Sequence, residues 1–545
     1  MKGDFSRLTF DPTRHFSRVL MQQGRVTLDA DHNEQSDITL HMLRTLAQDL
    51  FGPYGGPAGG RGFGLYFATA GSGPAHLMIG AGHYYVDGIL CENELECAYA
   101  NQPEYMPAPP GSTVADPLLN WLTSPTAGPA FWVYLDVWER HITWVEDDRI
   151  REVALGGPDT CARTKVVWQV KAVSLTVVID TLTRKKAAVD AMTPQTPEVR
   201  AMSAKLGNDI ALLQNSLQQN ACAAPLDALD PTGAAWMAAR LDPGLQIPDP
   251  CIIAPDAKYR GAENQLYRVE IHQSGSVGDE LAPTFKWSRD NGSVVSPWLD
   301  TDGNDLIVTS GRGFATGSWA EIADDWDDSN AMPGTLVKLA NVAGDRLTID
   351  RASLPNGLPT RNAGLHPKVR QWDQRENDVT TLVDGAVPIV EGTTANWGIT
   401  LEDGIQIQFT EGGQYRSGDY WLFPARVATG GIEWPTTTDG SGNMVAVALP
   451  PAGIEHHYAP LALVQGMQAT GGGITPSIQT SCRICCAPLA SDPCPPTEAP
   501  ATSTISPVGF NPKPAVGGGI VKPKKTAPGS VPTLKGHPAI KAKPK

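Results

Sequence analysis

The first 52 residues constrain this chain more than any other stretch. They read MKGDFSRLTF DPTRHFSRVL MQQGRVTLDA DHNEQSDITL HMLRTLAQDL FG. As far as about Leu28 the segment mixes aromatic, arginine and glutamine residues around Gly24, which suits an extended run. From Asp31 the pattern becomes helical. Asp31 and Glu34 have the D-x-x-E spacing of a capping box, where each side chain accepts from a backbone N–H left unpaired at a helix start. Ile38, Met42, Leu46 and Leu50 recur every four residues with Leu43 beside them, which predicts one apolar stripe. Gly52-Pro53 predicts the stop. A long extended lead-in with little core of its own, followed by one amphipathic helix, suits docking on another surface. Residues 1–35 are therefore expected to be removable without unfolding the rest.

Beyond the helix the sequence predicts a mainly β protein with minor α, built of several β-sandwich or barrel-like domains and ending in a disordered tail. GPYGGPAGGRGFG reads as a glycine-rich linker, because it follows a helix and lacks the Lys-Ser/Thr of a phosphate loop. LMIGAGHYYVDGILCEN predicts a hairpin turning at Asp87-Gly88. Residues 53–181 form one β-rich unit, with strands from Phe131 to Trp138 and from Thr164 to Asp180 rich in apolar and β-branched residues. Residues 182–250 are a helical insertion, with Met202, Leu206, Ile210, Leu213 and Leu217 at three/four spacing from Val199 onward. Residues 251–300 return to strands, TFKWSRDNGSVVSPW reading as a hairpin with Asn291-Gly292 at its turn. Short strands over 301–355 suggest a small barrel-like insert. Residues 356–486 complete the β body.

Residues 487–545 are rich in Pro, Ala, Thr, Ser and Gly and cannot bury a core. After Glu498 they hold eight Lys and no acid, so residues 499–545 carry +8 and leave −23 on residues 1–498 of a chain whose net charge is −15. That balance argues against nucleic acid as partner, since phosphate binding needs positive surface. The tail's charge suits an acidic surface or lipid headgroups. No apolar run is long enough to span a membrane. No charged n-region precedes an apolar h-region, so synthesis and folding in the cytoplasm are expected. Nine Cys over this length do not read as a disulfide scaffold.

Candidate chemistry is sparse. Cys482, Cys485, Cys486 and Cys494 form C-x2-C-C-x7-C, but structural zinc needs four converging ligands and a second C-x2-C is missing. Glu321, Asp324, Asp325, Asp327 and Asp328, and the run Asp300, Asp302, Asn304 and Asp305, offer oxygen ligands without EF-hand spacing, and both read better as solvated turns. His456 and His457 are adjacent, so on a strand they face opposite sides and cannot share one ion. Trp138, Trp168, Trp287, Trp372 and Trp421 sit near Arg or Asp and read as strand packing rather than a sugar-binding groove. No nucleophile elbow, zinc-protease motif, Walker loop or dinucleotide fingerprint occurs, so no enzyme, cofactor or metal is assigned. Carboxylates are too many for a glycosidase pair to be picked out.

The stretch SRVLMQQGRVTLDADHNEQ resembles the N-terminal signature of an uncharacterised family of phage-tail-like proteins. Its members tend to read S-R-V-x-x-Q-Q-G-R-V-x-L-D-A-D-x-N-E-Q, and many are encoded alongside contractile injection systems. Their usual residue after Asp31 is Trp; here it is His32. VWER, VVWQVK, YRVEIH, TFKWSRDNGS, PKVRQWD, GDYWLFPAR and HHYAPLA resemble the same family, so the likeness runs from Met1 to about Val464. It implies a structural component of a contractile injection system or phage-tail-like particle, in a baseplate-peripheral, cage-like or fibre-like position. The implied partners are other tail or baseplate subunits, in a homo-oligomer because such particles are rotationally symmetric. With the docking reading of residues 1–52, the interface falls on Phe16, Arg18, Gln22, Gln23, Arg25, Asp29, Asp31, Asn33, Glu34 and Gln35. Two other readings are an adhesin module binding cell-surface glycan and a hydrolase of cell-wall polysaccharide.

Overall fold

A computed structural model describes residues 1–486 apart from 61, 70–74, 107–115, 158, 192–196, 223–234, 243–258, 355–356, 377–379, 393–396, 398, 439–443 and 470–471. The predicted disordered tail, 487–545, and Cys494 lie outside the described residues. Strand outweighs helix, 38% to 21%, so the protein is mainly β as its sequence predicts. Among the described residues five α-helices interrupt the strands: α1 (Asp29–Phe51), α2 (Pro117–Thr123), α3 (Leu175–Ala191), α4 (Pro197–Gln219) and α5 (Asp325–Asn330).

One antiparallel sheet runs in the order Ile474–Ser481, His456–Gln468, Ala130–Ile142 and Arg163–Ser174. Val133 lies opposite Ala462 on one side and Ala172 on the other. Alternation sorts the central strand's side chains between two faces. Phe131, Val133, Leu135 and Val137 enter a core closed by α2 and by two small sheets from residues 54–98. Ala130 and Trp132 face α3 and α4, whose Leu182, Leu206 and Leu213 cover them. Both faces are therefore buried, which explains why AFWVYLDVW is an apolar run rather than an alternating one. The expected second strand is shorter than predicted. It stops at Ser174, and Leu175–Asp180 open α3 despite their β-branched residues; Leu175 is buried against the sheet with Val178 and Ile179 packed beside it, while Val177 stays exposed.

Four residues of the glycine-rich linker instead form a strand. Tyr54–Pro57 pairs with Gly82–Val86 and, in parallel, with Cys485–Cys486. A Cβ on Gly56 would lie 2.8 Å from the Tyr84 ring, so glycine there allows close approach rather than a hinge. The Asp87-Gly88 hairpin forms as predicted, with Val86 opposite Ile89.

The second half holds a five-stranded sheet, Val387–Pro388, Thr284–Ser288, Gln265–Gln273, Tyr420–Arg426 and Gly431–Ile432, packed on a three-stranded one that includes Met237–Leu241. A closed six-stranded barrel inserts between Thr284–Ser288 and Val387–Pro388. It runs from Val295 to Trp372, beyond the predicted 301–355, because Lys368–Trp372 pairs with both Val295–Asp302 and Trp319–Ala323 to close it. Asn291-Gly292 does turn with both residues at positive φ. It closes no hairpin, however: Thr284–Ser288 pairs within the sheet and Val295–Asp302 within the barrel, so the turn hands the chain from one to the other.

Cys222 and Cys482 form a disulfide that ties the chain just after α4 to the end of strand Ile474–Ser481, and Cys485 is disulfide-bonded as well. Cys482 and Cys485, two of the four cysteines weighed as zinc ligands, are therefore oxidised and cannot serve as thiolates.

Candidate functional site

Helix α1 starts two residues earlier than predicted, with Leu28 as its N-cap. Asp31 caps backward, accepting from the Leu28 backbone N–H at 3.3 Å. Glu34 is not its partner in a box; it accepts from the Thr9 hydroxyl at 2.6 Å. The lead-in competes for that carboxylate and wins. The helix ends at Gly52, whose N–H donates to the Gln48 carbonyl. Arg44 fastens one face to the body through two hydrogen bonds to Glu139 at 2.7 and 2.9 Å. Gly88 passes beneath Arg44 so closely that a Cβ would meet the Arg44 carbonyl at 2.1 Å.

The predicted stripe divides. Ile38 is buried (2% exposed), whereas Met42 (49%), Leu46 (56%) and Leu50 (67%) are bare. Leu40 and Leu43 are exposed too. The lead-in crosses only the first half of the helix. Asp29 accepts from the Ser6 N–H at 2.8 Å, the Phe10 ring meets His41 at 5.7 Å, and the Val19 N–H donates to Gln35 at 2.8 Å. Between these anchors residues 11–28 are exposed apart from half-buried Val19, and the chain turns at Gln22–Arg25. Of the ten predicted interface residues, Phe16, Arg18, Gln22, Gln23 and Arg25 are on this open loop. Asp29, Asp31, Glu34 and Gln35 instead hold loop and helix together, and Asn33 is half-buried. Sequence reasoning missed the apolar members of the loop: Leu20, Met21, Leu28 and Val26, the last 84% exposed.

It also missed the other end of the lead-in, which is woven into the body. The Lys2 ammonium sits 2.9 Å from Glu270, the Arg268 guanidinium donates to the Met1 carbonyl at 3.0 Å, and Asn291 donates to the Gly3 carbonyl at 2.9 Å. The Met1 amino group donates to the Tyr420 hydroxyl at 2.9 Å. Removal of residues 1–35 would therefore take from buried Glu270 one of the cations that pair with it, and from Arg268 and Asn291 their carbonyl partners.

These groups line a cavity of about 160 Å³ between the first sheet, the five-stranded sheet and the barrel. Glu270 also meets Arg268 at 2.6 Å and Lys286 at 3.3 Å. Glu321 pairs with Lys286 and accepts from the Trp372 indole at 2.9 Å. Burial opposes the charge on Glu270, but Lys2, Arg268 and Lys286 overcome it and hold the carboxyl well below its usual range. Glu321 is likewise drawn down to about 2 against its burial, chiefly by Lys286 and Lys2. Burial lowers His272 to about 4 and His141 to about 3, so both rings are neutral at pH 7. His141 Nε2 and His272 Nδ1 are buried without a hydrogen-bond partner among the described residues.

Glu146, Asp325 and Asp328 bring carboxylate oxygens within 4.8 Å of one another. The Lys368 ammonium already stands among them, 2.9 Å from Glu146 and 2.6 Å from Asp328. It supplies the positive charge a metal would bring. The predicted solvated turn at 321–328 is thus a structured corner, with Glu321 and Asp325 buried and Asp324 capping α5. Burial and the neighbouring Asp324, Asp328 and Glu321 charges push Asp327 up to about 7, against the Asp324 backbone N–H. Asp302 and Asp305 form a hairpin turn and pair with Arg346. His456 and His457 do face opposite ways, to Asp136 at 2.7 Å and Asp87 at 2.9 Å. All five Trp residues singled out from sequence are buried, which removes them as a sugar-binding groove.

Among the described residues no helix is long and apolar enough to cross a membrane. No curated protein and no solved structure matches the chain. A family model described as a family of unknown function, DUF6519, matches residues 1–528. With all but its last residues matched, the chain belongs to the DUF6519 family.

Proposed function

We propose that this chain is a non-enzymatic structural subunit of a contractile injection system or phage-tail-like particle, seated on its neighbours through residues 11–50. One observation carries the reading. Large apolar side chains stand bare along a loop and helix that are themselves fastened to the body at both ends. Isolated exposed apolar residues need no explanation, but a contiguous row of them marks an interaction surface. The resemblance of SRVLMQQGRVTLDADHNEQ to phage-tail-like proteins supplies the class of particle. The Cys222–Cys482 disulfide suits a protein that ends in an oxidising setting outside the cell, after assembly. The adhesin reading draws less support, since the Trp residues are buried, and the hydrolase reading rests on Asp327 alone, raised to about 7 on the cavity wall, while the cavity's Glu270 and Glu321 are held ionised by cations.

The test leaves residues 1–10 in place, because Lys2 is structural. Full-length protein with Leu20→Asp, Met21→Asp and Val26→Asp is expected to melt like the wild type yet be lost from sedimented particles. Wild-type incorporation of this variant would contradict the proposal.

A further inference from the structure

We infer that the cavity between the first sheet, the five-stranded sheet and the barrel binds a small oxyanion, a carboxylate or phosphate, held by Arg370 with His141 beside it. The site is separate from the apolar surface of residues 11–50, none of which lines the cavity. Arg370 lies on the cavity wall and is 8% exposed. Among the described residues its guanidinium meets no carboxylate; the acceptor it has is the neutral Gly292 carbonyl. A buried cation against one neutral oxygen keeps most of its desolvation cost. The neighbouring buried cations are answered. Glu270 faces Lys2, Arg268 and Lys286, Glu321 faces Lys286, and Glu146 and Asp328 face Lys368. Arg370 is left over, with the rest of its five-donor fork free for a planar or tetrahedral oxyanion.

The Asn291-Gly292 turn gathers this cationic end of the cavity. Asn291 accepts from Arg268 at 3.2 Å and donates to the Gly3 carbonyl at 2.9 Å. A Cβ on Gly292 would lie 3.4 Å from Arg370 Cδ and 3.8 Å from Lys2 Cγ, and one on Gly3 would lie 3.5 Å from His141 Cε1. His141 Nε2 is buried without a hydrogen-bond partner among the described residues. Burial, the Met1 amino group, Arg370 and Arg268 keep the ring neutral against Glu146, so Nε2 can carry a hydrogen and donate it. The remaining acids of the wall are placed elsewhere. Glu139 is taken by Arg44, and the Asp419 carboxylate sits where a Cβ on Gly453 would meet it at 2.8 Å. Asp327 belongs to the opposite, acidic end: beyond burial, the charges that act on it are Asp324, Asp328 and Glu321, with no cation among them. A cavity of about 160 Å³ suits an ion of about five heavy atoms, at roughly 30 Å³ for each water-sized group. Met332 and Ile454 also line it and are exposed, so the cavity opens to solvent.

Equilibrium dialysis of the full chain at fixed ionic strength tests this, with labelled inorganic phosphate in one arm and labelled acetate in the other. At least one of the two should bind saturably, one per chain, with Kd below about 1 mM, and the tighter of them names the class of ligand. Arg370→Met should weaken that binding at least about tenfold, because it removes the charged fork. His141→Phe keeps a ring of similar shape, loses the Nε2 donor and should weaken binding several-fold. Arg149→Met alters an exposed arginine outside the cavity and should leave binding unchanged. Should Arg370→Met melt early, His141→Phe carries the comparison. Binding of neither ion, binding that never saturates, or binding that Arg370→Met and His141→Phe leave at the wild-type level overturns the inference.

Discussion

Three cations meet one carboxylate at Glu270, and the strand that carries it shows how such a cluster is made. In QLYRVEIHQ, Tyr267, Val269 and Ile271 point into the sandwich core while Arg268, Glu270 and His272 point to the cavity. That alternation was legible, and it could have flagged a polar interior face. What was not legible was the partner set, since Lys2 and Lys286 are far from Glu270 in the sequence and the interaction follows from topology. The cluster makes stability depend on pH in two steps. The Met1 amino group has a folded value of about 4 against about 8 unfolded, and His272 and His141 about 4 and about 3 against about 6.5. The unfolded chain therefore takes up these protons first, and stability falls as pH drops below about 8. Asp327, raised to about 7, partly offsets this because it gains its proton first when folded. Glu270 and Glu321 are depressed when folded, Glu321 to about 2. Their contribution is complete above about 4.5 and is lost between there and about 2. Urea midpoints measured from pH 7 downward should decline in both windows. Glu321→Gln should flatten the lower one and leave the upper one, and an unchanged lower limb would refute the assignment.

The helix α1 shows what periodicity reveals and what it leaves out. The four-residue recurrence of Ile38, Met42, Leu46 and Leu50 located the helix, and Gly52-Pro53 its stop, with the start two residues late. It did not say which of those positions face protein, because the lead-in covers only the first half and its path is set by Thr9, Phe10 and Val19. Ile38→Ala should cost about 2–4 kcal/mol, as for other buried large-to-small changes. Leu46→Ala should stay within about 0.5 kcal/mol in the isolated subunit. Equal losses in denaturant titration would mean that the stripe is packed along its whole length. The Asn291-Gly292 turn gives a similar lesson. Its residue types demanded a tight turn, but turn chemistry does not say whether the flanking strands pair with each other, and here the barrel strand Lys368–Trp372 takes one of them. Leu175–Asp180 erred the other way, since packing of Leu175, Val178 and Ile179 against the sheet overrode β-branched propensity.

For the molecule as a whole, the sequence showed a β body with a barrel insert but not how its pieces join. Strand Ala130–Ile142 pairs with His456–Gln468, so the first and last parts of the body share one sheet. Long-range pairing leaves no mark in local composition, and neither did the Cys222–Cys482 bond, whose members are 260 residues apart. Because that bond closes so long a loop, Cys222→Ser should lower stability by about 2–4 kcal/mol. Denaturation with and without reductant checks it, and a midpoint indifferent to both would mean that the bond does not form in solution.

The assembly surface is the central claim. Methionine oxidation footprinting of purified particles against the free subunit tests it most directly, because Met21 and Met42 lie on the loop and on the bare stripe while exposed Met444 and Met467 lie elsewhere. Met21 and Met42 should oxidise readily in the free subunit and be protected in particles. Equal oxidation of Met21 and Met42 in both states would contradict the account.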